Sequence, residues 1–256
     1  MAKTRQLPRR QRFRQALLFV SLLLLPATLY YFSPVIIVES ASHGIVNASS
    51  IVFGLLFVSS LFLGRLWCGW VCPAGALQEF GAPINNSSAP GGRFNWIKWA
   101  IWVPWIGVIA VLVVRAGGYH ILDPFYHFET GVTLALPVNS GGPPWYTIYY
   151  IIVILFLAPA VIFGRRAGCH SICWMAPFMI LGRRIRNVGT WPALRLRAES
   201  DKCTDCQRCT RDCPMSLDVN GMVNVGDMEN DECILCGTCV DNCPKDVIRF
   251  SFSSGR

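Results

Sequence analysis

The sequence predicts an all-α four-helix transmembrane domain, built as two parallel helix-hairpin repeats, followed by a small α+β domain organised around cysteines. Three observations predict it. Four long apolar runs fall between residues 16 and 163, Lys and Arg gather on one side of those runs, and eight of the twelve cysteines repeat one spacing near the end of the chain. The expected divisions are a basic N-terminus at 1–15, the helical domain at 16–187 and the cysteine-rich domain at 188–256.

Composition agrees with a membrane class. Of 256 residues, 53% are hydrophobic and 15% charged, and the mean hydropathy is +0.41. The net charge of +8 is unevenly spread: residues 201–256 hold six Lys/Arg against ten Asp/Glu. The remaining residues are therefore strongly basic. Their basic side chains flank apolar runs, which fits an anionic membrane surface better than nucleic acid. Neither a phosphate loop nor a dinucleotide fingerprint is present.

The first apolar run, Ala16 to Val38, is 23 residues without a charge. It is long enough to span a bilayer and longer than the apolar core of a cleavable signal, although Arg9-Arg10 weakly resembles a twin-arginine export signal. Further runs lie at Ile45–Leu63, Trp99–Val114 and Tyr146–Phe163, with prolines at 26, 34, 104 and 159 expected to kink them. Six Lys/Arg precede the first run, three lie in 64–98 and seven in 164–200, while the alternate loops hold only Arg115. The positive-inside rule then puts both termini in the cytoplasm of a multi-pass protein.

The cysteine-rich stretch reads Cys203-x2-Cys206-x2-Cys209-x3-Cys213-Pro214 and again Cys233-x2-Cys236-x2-Cys239-x3-Cys243-Pro244. This is the spacing that binds [4Fe–4S] clusters in two-cluster ferredoxins, with the fourth cysteine of each motif serving the other cluster. It assigns Cys203, Cys206, Cys209 and Cys243 to one cluster and Cys213, Cys233, Cys236 and Cys239 to the second. A zinc site would use spaced pairs without the third cysteine. Open thiols at this spacing imply a reducing compartment. The acidic balance of this half suggests that it docks on the basic half through a hinge at 187–192.

Four cysteines remain, as Cys68-x3-Cys72-Pro73 and Cys169-x3-Cys173, each following a Gly-Arg step. On a helix each pair shares a face, and together they are a candidate four-sulfur site for a soft metal or a further cluster. His170 lies inside the second pair and could tune or ligate such a site. Buried thiols that merely pack are the competing reading.

These features together resemble the NapH/MauN family of ferredoxin-type membrane proteins, and the wider group with NosR-like and CcoG-like membrane iron–sulfur proteins. The resemblance covers nearly the whole chain. Cys68-Gly-Trp-Val-Cys72-Pro73 matches the family's C-x3-C-P, whereas the proline after Cys173 is displaced to Pro177. The resemblance implies electron transfer between a quinol pool and a partner oxidoreductase in a bacterial or archaeal cytoplasmic membrane, as a subunit rather than a stand-alone enzyme. Candidate proton acceptors for a quinol are His120, Asp123 and His127, spaced roughly as one helical face. An alternative is reduction of a metal ion such as copper, or an assembly role, through the four membrane-surface cysteines.

Overall fold

A computed structural model describes residues 7–89, 92, 94–126 and 145–254. Helix α1 (Arg9–Leu23) ends at Leu24, where the chain bends by 65° into α2 (Leu25–Thr28) and a 3₁₀ turn, Leu29–Phe32. Pro34 opens α3 (Pro34–Ser42), whose first turn is capped by Ser33. Strand β1 (Ile45–Val46) leads to α4 (Ala48–Leu63), capped by Asn47 Oδ1 accepting from Ser50 N at 2.9 Å. Two short helices follow, α5 (Leu66–Trp70) and α6 (Pro73–Gly81), then α7 (Ile97–Arg115). Strand β2 (Ile121–Leu122) pairs parallel with β1. Beyond it come α8 (Trp145–Phe163), α9 (Ala167–Ser171) and α10 (Ala176–Gly189).

The remainder is a small α+β unit. Strands β3 (Ala193–Ala198) and β4 (Ile248–Ser253) pair antiparallel and enclose α11 (Arg208–Arg211), α12 (Val219–Val225) and α13 (Thr238–Asn242).

This corrects the predicted four-helix transmembrane domain of two hairpin repeats. Among the described residues only α7 is long and apolar enough to cross a membrane, or two spans if α1 and the bent segment after it count as one. The 16 residues of α4 rise about 24 Å, short of a hydrocarbon core of about 30 Å. A multi-pass topology is therefore not supported. The reason is local: two of the four prolines expected to kink helices open new ones instead, while Pro104 and Pro159 stay inside α7 and α8. Proline removes a helical N–H and clashes with the preceding turn, so the first run breaks at Pro26 and Pro34. Gly64 closes α4 at φ 57.

The two parts share one core. Phe53, Leu56, Met179 and Ile180 belong to the same buried cluster as Met215, Ile234 and Val247. The expected docking of the acidic part on the basic part is present, but through buried pairs rather than a loose surface contact. Glu229 accepts from Arg183 at 2.7 Å, Arg195 at 2.9 Å and Arg186 at 3.3 Å. Glu232 accepts from Arg65 at 2.7 Å and also pairs with Lys98. The expected hinge is tied down too, since α10 continues through Gly189 and Trp191 Nε1 donates to Leu61 O at 2.9 Å.

Burial pushes the Glu229 carboxyl up, but the three arginines together hold it at about 2. A carboxyl depressed in the folded state contributes stability above its unfolded pKa and loses it as pH falls toward the folded value. Glu229→Gln strands buried guanidinium groups and is expected to cost about 3–5 kcal/mol, read as a lower unfolding midpoint. Protease protection of residues 190–254 should survive high salt, because buried pairs are weakly screened, and should be lost on acidification from about pH 4.5 toward pH 2.

Candidate iron–sulfur centres

The two C-x3-C segments are built alike. Helix α4 ends at Gly64 and α8 at Gly164, both at positive φ, and a Cβ on Gly164 would lie 2.4 Å from Ser87 O. An arginine then precedes a five-residue helix, Arg65 before α5 and Arg166 before α9, and the third residue of each helix is a cysteine, Cys68 or Cys169. The second cysteine of each pair lies outside its helix, contrary to the expected shared helical face. Pro73 disfavours helical backbone at the residue before it, and Cys72 is extended at ψ 120. Cys173 follows Ile172, which caps α9.

The four thiols nevertheless fall in one buried cluster. All are buried, at 3–6% exposure. Burial pushes Cys72 well up, reinforced by Cys68, Cys173 and Cys169. Burial likewise pushes Cys173 to about 12, reinforced by Cys169 and Cys68. Met179 Sδ lies 3.5 Å from Cys68 Sγ, and Gln78 Nε2 lies 3.1 Å from Cys169 Sγ.

In the α+β unit, Cys213 joins Cys233, Cys236 and Cys239 around one apolar cavity with Met215 and Ile234. These are the four that the spacing assigns to one cluster. Burial drives Cys213 to about 12, with Cys236 and Cys233 adding to it. On the other loop Cys206 is exposed and Cys209 buried. Cys243 caps α13, its Sγ accepting from Val247 N at 3.4 Å.

Both motifs repeat the same unusual backbone. Positive φ occurs at Asp205, Gln207 and Ser216 in the first copy and at Leu235, Gly237 and Asp246 in the second. Such residues cost energy unless something over-determines them, and alternating backbone of this kind turns N–H groups inward toward an anionic group.

Charge tells the same story around the other centre. Arg14, Arg65, Lys98, Arg166, Arg183, Arg186 and Arg195 are all at most 3% exposed. Among the described residues the carboxylates paired with them are three, Glu79, Glu229 and Glu232. Arg65 Nε, Arg166 Nε and Arg186 Nε are buried without a hydrogen-bond partner. Burial, with Arg183 beside it, depresses Arg186 to about 10. Arg65 lies close enough to Cys68 and Cys173, and Arg166 to Cys169 and Cys236, for the thiols to act on both guanidinium groups. Thiolate-ligated iron–sulfur groups are anionic and fit this excess. Among the described residues no three His, Cys, Asp or Glu side chains gather as ligands of one ion would.

The two sites touch through Gly69. A Cβ there would lie 2.4 Å from Ile234 O and 3.4 Å from the Cys236 backbone. Around this contact Trp70 Nε1 donates to Leu235 O at 3.0 Å, Gln11 Nε2 to Cys236 O at 3.1 Å and Arg14 to Gly69 O at 3.1 Å. Arg166 donates to Cys68 O at 2.8 Å.

The remaining sequence candidates separate. His120 and Asp123 flank strand β2, so their helical spacing does not hold, and His127 lies outside the described residues. His120 is exposed, with Nδ1 3.1 Å from Gly118 O. His170 Nδ1 lies 3.0 Å from Asn95 Oδ1 and Nε2 3.0 Å from Met215 O, and burial lowers it to about 4, so the neutral ring donates to one of the two oxygens. It is a neutral link between the two parts of the chain. Sequence reading noted Arg65 in the Gly-Arg step without giving it a role and missed Arg166, although an arginine three residues before the first cysteine of each pair was the available signal. It also missed Gly69, whose contact is non-local.

Two family models match: a 4Fe-4S binding domain over residues 48–86, which includes Cys68 and Cys72, and a 4Fe-4S dicluster domain over 202–248. "Putative electron transport protein YccM" of Escherichia coli is 26% identical over 196 residues, covering 72% of this chain and 51% of that protein. The chain thus spans about half of YccM. An uncharacterized protein of Methanocaldococcus jannaschii, MJ0749, is 24% identical over 84% of this chain and 77% of its own length. "Methylamine utilization ferredoxin-type protein MauN" of Methylobacillus flagellatus is 24% identical over 71% of this chain and 60% of its own. No solved structure matches.

Gly69→Val would force the two loops apart. Its expected cost is about 1–3 kcal/mol of overpacking, seen as a lower unfolding midpoint and faster loss of iron. An unchanged midpoint would show that the loops do not pack this closely.

Proposed function

We propose that this MauN/NapH-type ferredoxin protein, an iron–sulfur electron carrier by its relatives and its two 4Fe-4S domains, relays electrons between a membrane quinol pool and a partner oxidoreductase. The observation that carries the reading is the Gly69 contact, which lays the loop bearing Cys68 and Cys72 on the loop bearing Cys236.

In this reading Cys203, Cys206, Cys209 and Cys243 hold one [4Fe–4S] cluster and Cys213, Cys233, Cys236 and Cys239 a second. Cys68, Cys72, Cys169 and Cys173 hold a further iron–sulfur group. When bound, such groups take up and release one electron at a time. The chain's own residues set the conditions. Arg65 and Arg166 compensate negative charge in a dry site, where electrostatics is strong. Gln78 orients Cys169 from both its backbone and its sulfur side. Gly69 keeps the two loops at backbone contact, so the electron path is short. The first cluster loop, with exposed Cys206, faces the partner. Each quinol that becomes quinone yields two electrons and two protons. The electrons leave singly toward the partner and the protons leave to water.

The apolar surfaces of α4, α7 and α8 support association with a membrane. Leu55, Val103, Val111 and Ile154 are each at least half exposed. Arg9 and Arg12, exposed on α1, support placement of the α+β unit at its cytoplasmic face. Copper held by the four cysteines finds less support, because the family match over Cys68 and Cys72 is to a 4Fe-4S domain.

The test is anaerobic reduction followed by electron paramagnetic resonance. A reduced short-chain quinol added to the oxidised holoprotein is expected to reduce its iron, with slower reduction in Gly69→Val. Reduction by dithionite but never by quinol, in membranes that also hold the partner, would contradict the relay.

A further inference from the structure

A cavity of about 470 Å³ opens between α4, α7 and α10. Its size and composition are those of a small-molecule site, mostly apolar with few polar groups. The walls are aromatic: Phe53, Trp102, Trp105 and Phe178 line it. Phe178 is the centre of that group, edge-on to Phe53 at 5.3 Å, Trp102 at 5.2 Å and Trp105 at 6.0 Å. Such a frame presents π-faces and ring edges to a flat ring. The polar contributions are the hydroxyl-bearing residues Ser50 and Tyr119.

Two details separate this cavity from a packing defect. Gly54 of α4 lines it, and a Cβ built there meets nothing within 4 Å. Glycine in a helix interior costs about 1 kcal/mol against alanine, and here it keeps a wall of the cavity open. The second detail is what lies behind the back wall. Phe178 is followed by the fully buried Met179, whose sulfur lies 3.5 Å from Cys68 Sγ. One packed residue therefore separates the cavity from the four-cysteine site. The opposite wall is α7, the helix with membrane-spanning length, so an amphipathic ligand could enter from lipid.

We propose that this cavity seats the ring of an isoprenoid quinol, with Gly54 making room for it and Phe178–Met179 joining it to Cys68. This deepens the relay reading and rests on it for the choice of ligand. Tyr119 brings the segment before β2 to the cavity, whereas the exposed His120 and Asp123 are not needed to form it.

The test uses the full-length holoprotein in lipid nanodiscs and a photoreactive azido-benzoquinone carrying a short isoprenoid chain, with labelled peptides mapped by mass spectrometry. Labelling is expected within 50–57, 102–109 or 178–181, and Gly54→Phe should reduce it about tenfold or more, equivalent to about 1.4 kcal/mol. Gly54→Leu should give a partial loss. Gly107→Phe, on the exposed face of α7 with nothing within 4 Å of its added Cβ, should label like the parent. Iron content measured on each variant shows that the fold is retained. Labelling elsewhere, labelling unmoved by Gly54→Phe, or equal competition by an alkane of the same length would overturn the site. Reduction of the iron by quinol in the same samples separates the two claims. Reduction that is unaffected by Gly54→Phe leaves the relay standing without this site. Labelling blocked by Gly54→Phe without any reduction leaves the site standing without the relay.

Discussion

The fold depends on a buried imbalance of charge. Seven cationic side chains are removed from water, and all seven share the three carboxylates of Glu79, Glu229 and Glu232. An uncompensated buried charge costs several kcal/mol, so a chain that retains four such excess cations holds them against something negative. The neighbours of Arg65 and Arg166 are thiols. The thiols are as ill at ease without a partner as the arginines, since burial, reinforced by neighbouring thiols, drives Cys173 and Cys213 to about 12. Thiolates bound to iron resolve both problems at once.

The same charges join the two parts of the chain. Glu232 reaches Arg65 at the start of α5, and Glu229 reaches α10 and β3. Each acid lies just before Cys233, so the pairs that dock the α+β unit also place its second cysteine loop against Gly69. Docking and the proposed electron path are therefore one geometry. Substitutions that loosen the docking should also lengthen the path.

What was legible in the sequence follows what cofactor chemistry imposes. The spacing of Cys233, Cys236 and Cys239 is a local register, and these three line one cavity with Cys213 from the other motif. The convergence of Cys68, Cys72, Cys169 and Cys173 was readable as a repeat, but its backbone was not. Pro73 and Ile172 break the helices that the four-residue spacing suggested. The four-helix domain failed because the length of an apolar run is not the length of a helix: Leu24 and Pro34 divide a run that hydropathy leaves whole, and Asn47 and Gly64 bound a helix of only 16 residues. The positive φ at Asp205 and Leu235, and the contact between Gly69 and Cys236, depend on tertiary structure, which composition and periodicity do not encode.

The most direct measurement of the central claim is iron and acid-labile sulfide per chain in anaerobically purified protein. If the buried excess of positive charge exists to hold a further iron–sulfur group, the chain carries about twelve iron atoms, and Cys68→Ser/Cys173→Ser carries about eight while keeping the signals of the two ferredoxin-type clusters. About eight in both proteins would contradict the account and return the four buried cysteines to packing.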